Sequence, residues 1–380
     1  MGDLREGRRM RSRGLMGAVL ACTMATLASF DADAQTAPPP SGEAEAPATG
    51  APEPDAPEPW FPQSVERRDP PFFRGGAFTR LDYHPLEGAR EPWALCAVLP
   101  PQDFEYFRAL AAGVRAEAAR QGVRLSLDAV ENFDAEAQAA QVDACLQDEV
   151  DAVLVAPVAR TGLEAVLSRA RARGVPVIEL VTGAGQTAVT ARIATDRAAV
   201  GRAAGRFLAE RHPAGAAPAS VVWLYGPPGS AVAREMDRSF RNGIADSAVE
   251  IVHAEAVTLT DRAIRQAIRD VIEEIDDFDA LAGGSRTVQI AAEELAGAFP
   301  SGEVELVTVT LGASTLAGIE AGRVFAGVND KVVVQGRIGV DLAIRAVEER
   351  PHMVDLRPRL EIVDRSNVDT FDRTTILPPE

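Results

Sequence analysis

The stretch 92-PWALCAVLPPQDFEYFRALAAGVRAEAARQGVRLSLDAV-130 decides the fold class. Residues 94–99 form an apolar run of strand length, closed by Pro100-Pro101. Residues 105–120 place Leu110, Val114 and Ala118 at helical spacing on one face, and 123–130 reads as a second strand. A strand, a covering helix and a return strand make one parallel βαβ unit. Phe104, Tyr106 and Phe107 crowd the strand-to-helix turn in a chain that is only 5% aromatic, which marks that turn for explanation.

The pattern repeats outward. Helices are expected at 135–147 and 162–173 and strands at 152–156, 175–181 and 191–195. The alternation then restarts with helices at 197–211, 231–245, 261–275, 287–297 and 314–321. Strands at 220–225, 249–257, 280–282, 305–311 and 324–328 lie among them. A last helix at 334–349 precedes a strand at 359–363. Short apolar runs between amphipathic helices require sheets covered on both faces, so the expected fold is α/β with two doubly wound parallel-sheet lobes. Such sheets bind ligands outside the carboxyl ends of their strands. "GRAAG" at 201–205 puts small residues four apart, the spacing of close helix packing.

The first 34 residues read as a signal peptide. Five arginines precede an apolar segment at 15–27, too short to span a bilayer, and Ala32-Asp33-Ala34 fits a small-x-small cleavage site. A retained anchor, or lipidation at Cys22, is the alternative. Residues 35–62, with "APPPSGEAEAPATGAPEPDAPEP", offer almost no large apolar side chain and are expected to be a disordered Pro/Ala/Glu linker. The net charge of −17 argues against nucleic acid, which needs a basic footprint. Beyond Cys22 only Cys96 and Cys145 remain. In an oxidising compartment a disulfide is the expected reading, with two independent buried thiols as the alternative.

Catalytic motifs are scarce. His84, His212, His253 and His352 are scattered, Lys331 is the sole lysine, and no GxSxG elbow occurs. "GPPGSA" at 226–231 lacks the lysine and spacing of a phosphate loop. The expectation is a binding protein, not an enzyme, with neither metal nor cofactor.

Five fragments in order resemble the type I periplasmic binding proteins of the ribose-binding class. They are "ALCAVLP" (94–100), "GVPVIEL" (174–180), "IATDRAAVGRAAGRFL" (193–208), "SAVAREMDRSFRNGI" (230–244) and "DKVVVQGRIGVDLAI" (330–344). "QVDAC" (141–145) extends the likeness to the family's sensory branch, periplasmic proteins that report trimethylamine N-oxide to a membrane histidine kinase. The resemblance implies two lobes, 93–194 plus 332–357 and 195–330 plus 358–380, joined by a three-crossing hinge around a ligand cleft. It also implies a periplasmic location and a small polar ligand. Tyr106 and Phe107 stand where relatives sandwich a sugar. Asp103, Arg234, Ser285, Thr310 and Asp330 join the implied ligand set. Where sugar-binding relatives carry an Asp-Arg pair, this chain has Val181-Thr182, so Thr182 is the remaining polar group and sugar reading is weakened. The same fold also serves ABC importers, whose permease is the alternative partner.

Overall fold

A computed structural model describes residues 60–73, 75–183, 188–275, 277–298 and 304–377. The expected signal peptide, Cys22 and the linker up to residue 59 lie outside the described residues, as does part of the loop after Thr182.

The chain opens with β1 (Gln63–Asp69) and β2 (Ala77–Tyr83), then β3 (Ala94–Leu99), α1 (Glu105–Gln121), β4 (Arg124–Ala129) and α2 (Ala135–Gln147). The first lobe continues through β5 (Ala152–Val155), α3 (Glu164–Ala172), β6 (Val177–Val181) and β7 (Ala191–Ala194). In the second lobe come α4 (Arg197–Arg211), β8 (Ala219–Tyr225), α5 (Ala231–Gly243), β9 (Val249–Ala256) and α6 (Asp261–Glu274). They are followed by β10 (Ala280–Gly283), α7 (Ser285–Ala298), β11 (Glu305–Thr308), α8 (Ala313–Glu320) and β12 (Ala326–Asn329). The chain then returns through α9 (Val332–Val347) and β13 (Asp355–Pro358) to the first lobe, and crosses to β14 (Glu361–Asp364) in the second.

Two sheets result. The first runs β2-β1-β13-β7-β6-β5-β3-β4 and the second β14-β12-β11-β10-β8-β9. The connections β7–α4, β12–α9 and β13–β14 make the three hinge crossings. Every residue of β5 and β6 is buried, as a parallel strand covered on both faces must be. Edge strand β4 instead alternates exposed and half-buried residues. Helix starts are specified locally. Asp134, Asp196, Ser230 and Thr260 cap α2, α4, α5 and α6 by accepting backbone N–H groups of the first turn. The "GRAAG" spacing does allow close packing. A Cβ on Gly201 would stand 2.5 Å from the Met236 carbonyl oxygen, and one on Gly205 2.4 Å from that of Phe240, so α4 and α5 meet backbone to backbone.

The packed chain begins earlier than the sequence suggests. Trp60 falls inside the segment expected to be a linker, yet it is 8% exposed and its indole N–H donates to the buried Glu117 carboxylate at 2.9 Å. A large amphipathic ring with an apolar slot and an acceptor has both reasons to stay packed. Residues 63–83, outside both expected lobes, form a hairpin that adds two antiparallel strands beside β13. Their charged sequence, QSVERRD in β1, lacks the apolar runs that betray the central strands.

Cys96 and Cys145 are bridged, with Cα atoms 6.0 Å apart. Both are buried in the cluster of Val98, Val142, Leu146 and Val153 that packs α2 against the sheet. The bridge ties the amino half of β3 to the end of α2, away from the carboxyl ends of the strands.

Candidate functional site

The carboxyl ends of the two sheets meet at the hinge, and a buried polar cluster joins them. The Tyr106 hydroxyl, on the first turn of α1, donates to Asp330 Oδ2 at 2.6 Å. The Thr195 hydroxyl donates to the same oxygen at 2.8 Å, and Arg197 Nη1 approaches it at 3.4 Å. Gln335 closes the cluster by donating to Thr195 Oγ1 and to the Asp330 carbonyl. Asp330 is 2% exposed, so an unpartnered carboxylate there would be costly; three donors satisfy it. Burial, reinforced by the Asp330 charge, pushes the Tyr106 phenol well above the ordinary tyrosine range and keeps it a donor. For Arg197, burial opposes the charge, but the Tyr106 and Asp330 oxygens more than offset it and raise its pKa.

Arg197 also reaches the Val181 carbonyl at 3.4 Å. Val181 has φ 51°, an outlier for a β-branched residue, and Thr182 N–H donates to the Leu180 carbonyl at 2.6 Å across it. The chain therefore turns sharply at Val181-Thr182, at the carboxyl end of β6. Strain of this kind costs roughly 1–3 kcal/mol and persists only where surrounding contacts impose it.

Beside the polar cluster stands an aromatic wall. Phe104 and Phe107 have centroids 6.2 Å apart, and Phe133, from the loop after β4, packs on both at 5.4 and 5.9 Å. Tyr106 meets Phe107 edge to face at 5.3 Å. Phe107 is half-buried and Phe133 is exposed, so part of the wall faces solvent.

Further polar contacts span the lobes. Both oxygens of Glu105 on α1 accept from the Ser314 hydroxyl at 2.8 Å, and one accepts from the Ser314 N–H at the start of α8. Arg160 after β5 pairs with Glu235 on α5 at 2.6 Å. A cavity of about 290 Å³ lies beside the first of these, lined by Tyr106, Ala109, Leu311, Val332 and Ile376 among others.

The residues expected from sequence are distributed unevenly around this centre. Tyr106 and Asp330 are in direct contact, and Phe107 joins them through Tyr106. Ser285 and Thr310 meet each other in the second lobe, the Ser285 N–H donating to Thr310 Oγ1 at 3.0 Å. Thr182 Oγ1 donates to the Pro157 carbonyl at 2.9 Å. Asp103 is exposed, and its carbonyl accepts from Arg108. Arg234 is exposed and folds back onto the Gly229 carbonyl at 2.8 Å; no hydrogen bond joins it to the Tyr106–Asp330 cluster among the described residues. Sequence reasoning missed Thr195, Arg197, Glu105, Ser314 and Phe133. Among the described residues, no group of three or more His, Cys, Asp or Glu is placed to hold a metal, and no helix is long and apolar enough to cross a membrane.

This architecture has known counterparts. Residues 96–351 match the family model described as the periplasmic binding protein domain. The periplasmic protein TorT of Escherichia coli (strain K12) is 29% identical over 298 residues, covering 77% of this chain and 83% of TorT. A solute-binding protein of an ABC transporter from Bradyrhizobium sp. BTAi1, solved with bound Bis-Tris, is 28% identical. It superimposes with a TM-score of 0.78 over 85% of this chain and 97% of that one. TorT in complex with the TorS sensor domain shares the fold, with a TM-score of 0.69, 24% identity and coverage of 76% of this chain and 97% of TorT. Two mainly parallel sheets, three hinge crossings and a family match across both lobes lead to one conclusion: the chain belongs to the periplasmic binding protein family, with the type I architecture.

Proposed function

We propose that this protein is a non-catalytic periplasmic sensor, which closes its two lobes on a small polar solute and reports it to a membrane histidine kinase. The likeness to TorT carries the reading, because it runs through 83% of that protein. By contrast, the likeness to the ribose import binding protein RbsB of Bacillus subtilis covers 47% of that protein at 31% identity. The cleft chemistry supports the same direction. Val181-Thr182 stand in place of a sugar-reading Asp-Arg pair, and Asp330 is already engaged by Tyr106, Thr195 and Arg197. The wall of Phe104, Tyr106, Phe107 and Phe133 suits a methylated cationic centre such as that of trimethylamine N-oxide, by cation–π attraction. Asp103, Thr182, Arg234, Ser285 and Thr310 complete the proposed ligand set.

A second reading, the solute-binding component of an ABC importer, is favoured by the Bradyrhizobium structure at 28% identity. In-cell cross-linking of the tagged protein, with mass spectrometry of its membrane partners, separates the two. A histidine kinase recovered as the cross-linked partner supports the sensor; an ABC permease, with loss of uptake of one solute on gene deletion, supports the importer.

A further inference from the structure

The outer edge of the first sheet presents a strand with one open side among the described residues. Strand β4 is the edge, and its pairing is with β3 alone among the described residues. Arg124 N–H donates to the Trp93 carbonyl and Val130 N–H to that of Leu99, which sets the phase of the ladder. Even-numbered residues turn their backbone groups inward to β3. Leu125 and Leu127 therefore turn their N–H and C=O groups to the open edge. Gln141 occupies the Ala129 carbonyl at 3.2 Å, so the open stretch is short and centred on Ser126.

The side chains follow the same phase. Leu125 and Leu127 are half-buried and, with Val123, line an open groove of about 390 Å³ against Ala118 and Ala119 of α1. On the other face Arg124, Ser126 and Asp128 are all exposed. Arg124 Nε donates to the Pro92 carbonyl at 3.1 Å.

We propose that β4 pairs antiparallel with β4 of a second copy about a twofold axis at Ser126, joining two first-lobe sheets into one. In that register Leu125 faces Leu127 of the second copy, and the pair exchanges both backbone hydrogen bonds, as their outward phase requires. Arg124 then faces Asp128 of the second copy twice, once on each side of the axis. Opposite charges directly across an antiparallel pair are favourable and like charges are not. Moving the axis to Leu125 or Leu127 loses these charge pairs, so the charge pattern selects Ser126. The two grooves flank the junction and bury their leucines against each other. An isologous contact of this kind closes after two copies and does not propagate.

Analytical ultracentrifugation of the intact chain over micromolar concentrations tests the proposal. The wild type is expected to sediment as a dimer. Arg124→Asp and Asp128→Arg alone each set like charges opposite one another and should weaken association by about tenfold or more. The double variant restores opposite charges in the same geometry and should return the dimer. All the altered side chains are exposed, and circular dichroism checks that each variant is folded. A wild type that stays monomeric, or a dimer indifferent to both single reversals, overturns it. A double variant as weak as the singles also overturns it.

Discussion

Glu105 of the first lobe and Ser314 of the second are joined by the Ser314 hydroxyl at 2.8 Å to each carboxylate oxygen and by the Ser314 N–H at 3.2 Å. The carboxylate lies at the positive end of α8, where a negative charge is favoured. Gly312 makes the approach possible: a Cβ there would stand 2.2 Å from Glu105 Oε1. Its φ of −137° is open to any residue, so Glu105 is what an added methyl meets. Closure is thus held partly by the protein itself.

Gly312→Ala should act as a wedge. The lobes should part and the radius of gyration in X-ray scattering should rise. A hydrogen-bonded carboxylate of this kind contributes about 1–3 kcal/mol, enough to shift ligand affinity by about 5- to 150-fold. In a Glu105→Ala background the same substitution should change nothing further, because the colliding group is gone.

Tyr106→Phe should cost about 1–3 kcal/mol in denaturant unfolding, since it removes the shortest donor from a carboxylate that is 2% exposed. Asp330→Asn should weaken the same cluster, and combining the two should cost less than their sum, because both act on one hydrogen bond.

Much of this centre was hidden in the sequence for a physical reason. The strands were legible because burial on both faces demands apolar runs, as in VIELV of β6. The Cys96–Cys145 bridge was legible from the compartment and the strand order. Arg197 read as an ordinary helix residue, although a cation in the first turn of α4 opposes the helix dipole and was the available signal. Glu105 carries no motif of its own, and its partner Ser314 lies 209 residues away. Trp60 and Phe61 are a lone aromatic pair at the end of a Pro-rich tract, which composition alone reads as linker.

Loss of the disulfide should destabilise without affecting recognition. Cys96→Ser with Cys145→Ser opens a bridge of sequence separation 49. The expected loss is about 2–4 kcal/mol in thermal or denaturant unfolding. The bridge lies away from the strand ends that form the cleft, so the thermal shift produced by a bound ligand should persist.

Alkaline titration should find Tyr83 and Tyr106 resistant. Burial, with the Asp341 charge and hydrogen bond, raises Tyr83 as burial and Asp330 raise Tyr106. A folded pKa above the unfolded value of about 10 contributes stability that is fully present below pH 10. That stability is lost as pH rises through the folded value. Phenolate absorbance should therefore stay short of three tyrosines until unfolding, and the melting temperature should fall above pH 10. Full phenolate absorbance in the folded protein would contradict the buried donor role of Tyr106.

The most direct measurement is a thermal-shift screen of the folded chain with trimethylamine N-oxide, related amine oxides and pentoses, repeated on Phe107→Ala. A cleft ligand at 100 times its dissociation constant should stabilise by about 2.7 kcal/mol, a clear rise in melting temperature. A rise is expected with a methylated amine oxide, reduced or lost in Phe107→Ala, with little response to sugars. A rise with a pentose alone, or a response indifferent to the Phe107 change, would contradict it.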